Sequence, residues 1–187
     1  MVGLQELETS EKWVANGDKP CALYRMEIGD RIASKGVAIV KFNIEKVVTF
    51  LEKEDTLQKL NPDLLEKKTL HAVKDHFKVL YQQYKAVWPV SNRDFVSVSH
   101  LFRVNGKVYL GTKSVNYPYP EVKGVVRAEI FIGGYIIEKI DENTTRITYI
   151  SDSDAKGSIP GMIKNTVTQK QGGIAATIGP VMEKEGY

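Results

Sequence analysis

Arg127 and Glu129 stand two residues apart in Gly124-Val125-Val126-Arg127-Ala128-Glu129. On a strand that spacing puts both side chains on one face, with Val126, Ala128 and Ile130 on the other. Facing a cavity, Arg127 would be a buried donor for a polar ligand group, kept paired by Glu129 or a nearby carboxylate. Facing water, the two would form a solvated pair of little energy. Ser97, Ser99 and Thr112 fall in alternating runs, so their hydroxyls could donate to a neutral group or simply fill the pleat. Arg93 and Asp94 read as local pairing that anchors a strand start, Asp154 and Lys156 as a device that starts a helix, and Trp88, ahead of Pro89, as a core residue.

Covalent chemistry finds little support. His71, His76 and His100 lie on separate segments, with no H-E-x-x-H spacing for a metal and no G-x-S-x-G elbow for a nucleophile. Cys21 has no evident local base to lower its pKa. Gly133-Gly134 and Gly172-Gly173 lack the Lys-Ser/Thr of a nucleotide loop. No catalytic residue, metal ligand or cofactor is therefore assigned, although folding could still bring a Ser or Asp to a His.

The chain has 187 residues with a formal charge of +3, and its 42% hydrophobic and 26% charged content excludes disordered and collagenous classes. No run approaches the about 20 apolar residues of a membrane-spanning helix. The acidic start Met1-Val-Gly-Leu-Gln-Glu-Leu-Glu lacks a secretory pattern, and Val2 occupies the place that myristoylation needs for glycine. The expectation is a cytoplasmic protein. No Lys/Arg block points to nucleic acid, while attraction to anionic lipid surfaces stays open.

The elements that must position these residues read as an α+β plan. A short N-terminal helix ends near Trp13, and Cys21 to Ile28 and Gly36 to Phe42 read as strands. Asn43 can cap a helix with Ile44, Val47, Val48 and Leu51 on one face, and Asp55 with Gln58 resembles a capping box. From His76 the period becomes two. Two alternating runs, Phe95 to Val104 and Lys107 to Val115, meet at Asn105-Gly106, a dipeptide suited to a two-residue hairpin. Strands Val125 to Phe131, Gly134 to Ile140 and Thr145 to Asp152 follow. Ser158-Ile159-Pro160 then opens a helix over about 159–184, in which Ile163, Val167, Ile174 and Ile178 share one face. Such a helix lies against a curved antiparallel sheet, whose interior is either filled or left as a cavity.

Three stretches resemble the START (StAR-related lipid transfer) family. They are Pro89-Val90-Ser91-Asn92-Arg93-Asp94-Phe95-Val96, Gly124-Val125-Val126-Arg127-Ala128-Glu129, and Arg146-Ile147-Thr148-Tyr149 followed by Asp154-Ala155-Lys156-Gly157-Ser158-Ile159-Pro160. The match runs from about Cys21 to the end, with a shortened N-terminal helical part. What the resemblance implies is a single domain over 1–187 with a helix-grip fold, whose sheet wraps one lipid in an apolar tunnel under the C-terminal helix. Its expected function is to bind one lipid, such as a phospholipid or sterol, and carry it between membranes. The protein would be a monomer, peripheral at membranes, with transient contact to their surface and no enzymatic activity.

On this reading Arg127, Glu129, Ser97, Ser99, Thr112 and Tyr149 would meet ligand from the sheet, and Ile163, Val167, Ile174 and Ile178 from the helix. Tyr117 and Tyr119 would form a membrane-facing lid with Gly172 and Gly173, a pair that costs helicity and reads either as a soft gate or as close packing. The family's choline cage would fall at Leu57, Gln82 and Phe95, and a sterol-type arginine and its acidic partner at Ser99 and Leu80, so neither ligand class transfers. Two rivals remain, a cavity enzyme of a related helix-grip fold and a lipid-sensing interaction module.

Overall fold

The computed structural model describes residues 2–187 apart from Asp75, Val87, Ser158 and Pro160, and gives backbone alone for Val2, Lys74 and 161–165. The expected cap at Ser158, the first-turn Pro160 and the side chain of Ile163 lie outside the described residues.

Asn105-Gly106 closes the hairpin between β6 (Arg93–Val104) and β7 (Lys107–Ser114), with φ of 50° and 76° at the two turn positions. Both angles lie in the left-handed region that Asn and Gly tolerate, which suits the twist of the flanking strands. The same logic of short antiparallel connections builds one curved sheet in the order β1-β2-β3-β10-β9-β7-β6-β5-β4. Its remaining strands are β1 (Val14–Gly17), β2 (Ala22–Ile28), β3 (Arg31–Val40), β4 (Leu64–Lys74), β5 (Phe77–Tyr84), β9 (Glu129–Asp141) and β10 (Thr144–Asp154). The two-residue β8 (Val126–Arg127) pairs parallel with β6.

Among the described residues four helices dress the sheet: α1 (Val2–Thr9), α2 (Ile44–Glu52), α3 (Thr56–Leu60) and α4 (Gly161–Lys184). Asn43 caps α2 by accepting from the Lys46 N–H at 2.9 Å, and Val47, Val48, Phe50 and Leu51 turn its apolar stripe inward. Asp55 precedes α3 but makes no capping bond; its carboxylate pairs instead with Lys59 at 2.8 Å. The expected strand from Val125 to Phe131 is interrupted at Ala128, whose N–H bonds the Asp94 carbonyl.

Alternation sorts the sheet into two faces. On the convex face Tyr109, Ile136 and Ile150 pack beneath Leu4 of α1, with Phe102 and Trp13 at the margin. On the concave face Ile137, Ile147 and Val40 join Val47, Phe50, Ile174, Ile178 and Met182 in the main core.

The seat of α4 is set by two glycines. A Cβ on Gly36 of β3 would fall 1.8 Å from the Gly172 carbonyl oxygen, so helix and strand backbones touch there. Gly172 is itself tight, 3.1 Å from Leu23, whereas a Cβ on Gly173 would meet only Pro20 at an ordinary 3.5 Å. Close packing thus accounts for Gly172 and not for Gly173. Gly36→Ala is expected to destabilise the fold by about 3 kcal/mol, the upper range for overpacking. Gly173→Ala, gaining about 1 kcal/mol of helix propensity, should be neutral or stabilising. Urea melts of both variants check the contrast.

Candidate functional site

Between the β5–β9 half of the concave face and the α2–α3 segment lies a cavity of about 160 Å³. Each strand contributes its inward positions: Leu80, Gln82 and Tyr84 from β5, Ser99 and Leu101 from β6, Leu110 and Thr112 from β7, Ile130 and Tyr135 from β9, and Tyr149 from β10. Register explains the grouping. Tyr149 faces Tyr135, Tyr135 faces Leu110 and Leu110 faces Leu101, one straight row across four strands. One step along, Ser34, Ser151, Gly133, Thr112 and Ser99 form a second row that is mostly hydroxyl-bearing.

Leu51, Thr56, Leu57 and Leu60 roof the cavity. Its mouth carries the ionic groups, Glu52, Lys53, Lys67, His76 and Lys78. They are already engaged: His76 Nδ1 lies 2.7 Å from Glu52, Lys67 and Lys78 both reach Glu54, and Lys53 sits over the Tyr187 ring.

The side chains of the inner end are uncharged. The rings of Tyr135 and Tyr149 are 4.9 Å apart, and Tyr84 packs edge-on against Phe95. Burial pushes the hydroxyls of Tyr84 and Tyr135 far above the ordinary phenol range, and that of Tyr149 upward against an opposing hydrogen bond with Ser151. All three are held as neutral hydrogen-bonding groups.

Arg127 is not in this cavity. Its guanidinium grips Asp94 through two bonds of 2.8 and 3.1 Å and reaches the Pro120 carbonyl, on the convex face beside Tyr81. The Asp94 bonds raise the Arg127 pKa against its partial burial. Burial and then the Asp94 charge push the Tyr81 hydroxyl up to about 12. Glu129 is equally displaced: half exposed, it pairs with Lys156 at 3.0 Å. The expected Arg127–Glu129 pairing fails because the strand breaks between them.

Other expected ligand residues divide. Ser99, Thr112 and Tyr149 line the cavity, while Ser97 lies fully buried with its hydroxyl unpartnered among the described residues. Val167 is 41% exposed, and Ile174 and Ile178 belong to the core rather than the cavity wall. Tyr117 and Tyr119 are not a free aromatic lid, since they pack against Tyr81, Val79 and Val96 on the convex face, Tyr119 4.4 Å from Tyr81. Trp88, expected in the core, is 89% exposed.

Arg93 ties the strand start to the α4 approach by donating to the carbonyls of Ser91, Ala155 and Lys156. Sequence reasoning missed Tyr84, Tyr135 and Leu110, which the alternation of their strands could have flagged once one cavity position was known. Four of the positions read against family ligand sites, Leu57, Leu80, Gln82 and Ser99, do line the cavity, and none is charged. Among the described residues no cluster of three or more His, Cys, Asp or Glu could hold a metal.

Arg127→Ala would strand the buried Asp94 carboxylate, with an expected loss of about 3 kcal/mol, the low end for a broken buried pair because Arg127 is about a quarter exposed. A thermal melt beside a lipid-binding assay checks that stability falls with little change in affinity of the folded fraction. A second outcome concerns alkali. The folded protein keeps protons on Tyr81, Tyr84, Tyr135 and Tyr149 that unfolded tyrosines release near 10.0, so stability is full below that pH and declines as pH climbs through the window up to about 12 for Tyr81. Phenolate absorbance should rise in two stages, the second coinciding with unfolding; a single rise near 10.0 from all nine tyrosines would contradict the burial.

Known proteins share this architecture. START domain-containing protein 10 of Mus musculus is 30% identical over 90 residues, 48% of this chain and 31% of that protein. The mitochondrial steroidogenic acute regulatory protein of Oncorhynchus mykiss is 29% identical over 173 residues, covering 89% of this chain and 60% of that protein. The chain thus spans between about a third and three-fifths of the length of these curated relatives. In structure, the human StAR-related lipid transfer protein 5 superposes with a TM-score of 0.88 at 15% identity, over 100% of this chain and 93% of that one, which establishes a shared helix-grip fold. Since residues 4–176 also match the START domain profile, this chain belongs to the START family of lipid-binding and lipid-transfer domains.

Proposed function

We propose that the chain, as one lipid-binding unit and a monomer, carries a single lipid between membranes and touches their surface through the turn that bears Trp88. The observation that carries this reading is the cavity lined by phenols and aliphatic side chains, with ionic groups only at its mouth. Apolar carbon moved there from water gains about 0.8 kcal/mol per CH₂, enough to shield an acyl chain or ring system in transit. Carriage needs no bond to break, and no cofactor.

A cavity of 160 Å³ suits a molecule of about benzene size, whereas ligand sites of drug-sized molecules run from about 300 Å³. A lipid therefore enters by parting a wall. The sheet walls are hydrogen-bonded ladders, whereas the five-residue α3 is held by Leu60 in the core, by the Thr56 hydroxyl donating to the Phe50 carbonyl, and by the Lys59–Glu185 pair, worth at most about 1 kcal/mol. The roof is the wall that yields.

Trp88 supplies the membrane contact, because an exposed indole gains by settling at a headgroup interface. Trp88→Ala is expected to weaken binding to phosphatidylcholine–phosphatidylserine vesicles about tenfold, equivalent to about 55 Å² of ring leaving the interface, with an unchanged melting temperature. Undiminished vesicle binding would remove the contact from this turn. Carriage itself is tested by moving a fluorescent lipid between two vesicle populations. Delivery of the intact lipid supports the carrier, uptake without delivery supports a sensor, and a chemically altered lipid supports a cavity enzyme.

A further inference from the structure

We infer that the inner end of the cavity is a recognition site for an uncharged, oxygen-bearing lipid head, a hydroxyl or a carbonyl, received by Tyr135 between Tyr84 and Tyr149. The inference rests on the reading that a lipid occupies this cavity, and it names the class of that lipid.

Tyr135 carries the argument. Only 7% exposed, it lines the cavity, and its hydroxyl has no hydrogen-bond partner among the described residues. A buried hydroxyl without a partner forfeits its hydration for nothing, and nearly all such groups in folded proteins are satisfied. A ligand oxygen meeting it would supply the missing bond.

The neighbours fix the chemistry of that oxygen. The Tyr149 ring lies 4.9 Å from the Tyr135 ring, and Tyr84 stands close enough that charge on any of the three hydroxyls would be felt by the others. Beside them lies the buried carboxamide of Gln82. Phenol and carboxamide are neutral groups that both donate and accept, so together they match a hydroxyl, which does the same, or a carbonyl, which accepts. Among the described residues no cation lines this end, and Arg93, opposite Tyr84 in register, is spent on the carbonyls of Ser91, Ala155 and Lys156. The lysines that could neutralise a phosphate or carboxylate stand at the mouth, where Lys67 and Lys78 already pair with Glu54. An anionic head at the inner end would lose its water and find no counter-charge. Sites of this kind reject a ligand that leaves their polar groups unpaired more strongly than apolar pockets reject a change of size.

The test measures uptake from phosphatidylcholine vesicles of three probes: a fluorescent diacylglycerol, a fluorescent fatty acid and a fluorescent phosphatidylcholine. Wild-type protein is expected to take diacylglycerol at least about tenfold better than either charged probe. Tyr135→Phe should lower diacylglycerol affinity about three- to tenfold, the worth of one neutral hydrogen bond, and leave weak uptake of the charged probes unchanged. Its melting temperature should hold or rise, because an unsatisfied hydroxyl has gone. Equal affinity of Tyr135→Phe and wild type for diacylglycerol, or a preference for a charged probe, overturns the inference while the carrier reading stands. Failure of all three probes to enter overturns the carrier reading and this inference with it. Should Tyr135→Phe not fold, Tyr149→Phe is read by the affinity criteria alone, since its hydroxyl is already bonded to Ser151.

Discussion

The contact on which the rest of the molecule depends is the meeting of two backbones at Gly36 and Gly172. With no Cβ between them, α4 settles directly on β3 and reaches the flanking β2 and β10. That half of the concave face is thereby filled, by Leu23 and Ala175 on one flank and Ile174 and Ile178 on the other. Nothing comparable descends on the β5–β7 half, which is roofed only by the end of α2 and the short α3. The cavity is the remainder of an asymmetric packing problem. A side chain at position 36 would lift the helix and disturb that space, whose near wall, Tyr149, is the register partner of Gly36 on β10.

The convex face has the complementary task of holding the strand ends in register. Arg93 and Asp94, adjacent on β6, point to opposite faces, and each ties down a different segment. Arg93 collects the carbonyls ahead of α4, and Asp94 collects Arg127 and with it the approach to β9. Both ties end on groups that have few alternatives, a desolvated guanidinium in one case and a buried carboxylate in the other. Tyr81 stands beside the second tie, and the burial of the tie's carboxylate strengthens it relative to an exposed pair. The Arg-Asp-Phe-Val and Val-Arg-Ala-Glu stretches are thus one structural device read from two places in the chain.

That device shows where sequence reasoning reaches its limit. The hairpin at Asn105-Gly106, the Asn43 cap and the long closing helix were legible because each depends on local chemistry or on a single period. The family was legible because three stretches stood in order. The side of the sheet facing the cavity was not, since a period of two assigns residues to two faces without saying which is inside. Arg127 consequently looked like a ligand donor. The break at Ala128 was hidden too, because apolar residues on both sides continued the pattern. β4 escaped because Lys67, Lys68 and Lys74 interrupt its alternation, and its pairing with β5 shifts register three times, as befits an edge strand kept from pairing with other chains. Trp88 looked like core on residue type alone, yet its side chain stands in solvent.

On the carrier reading, an uncharged interior behind a charged mouth would also set how binding energy is distributed. Widening the cavity from 160 Å³ to the about 300 Å³ that small-molecule sites begin at costs on the order of 3 kcal/mol, at about 24 cal/mol per Å³. Burying about four CH₂ groups offsets that cost, so any lipid-sized tail opens the site and apolar area alone discriminates poorly among tails. Selectivity must then come from the few polar atoms that apolar area cannot satisfy. On that reading those atoms would be the phenols of Tyr84, Tyr135 and Tyr149 and the Gln82 carboxamide, placed on one wall by the register of five strands. The fold supplies the volume, and the side chains at those positions decide which molecule is worth opening it for.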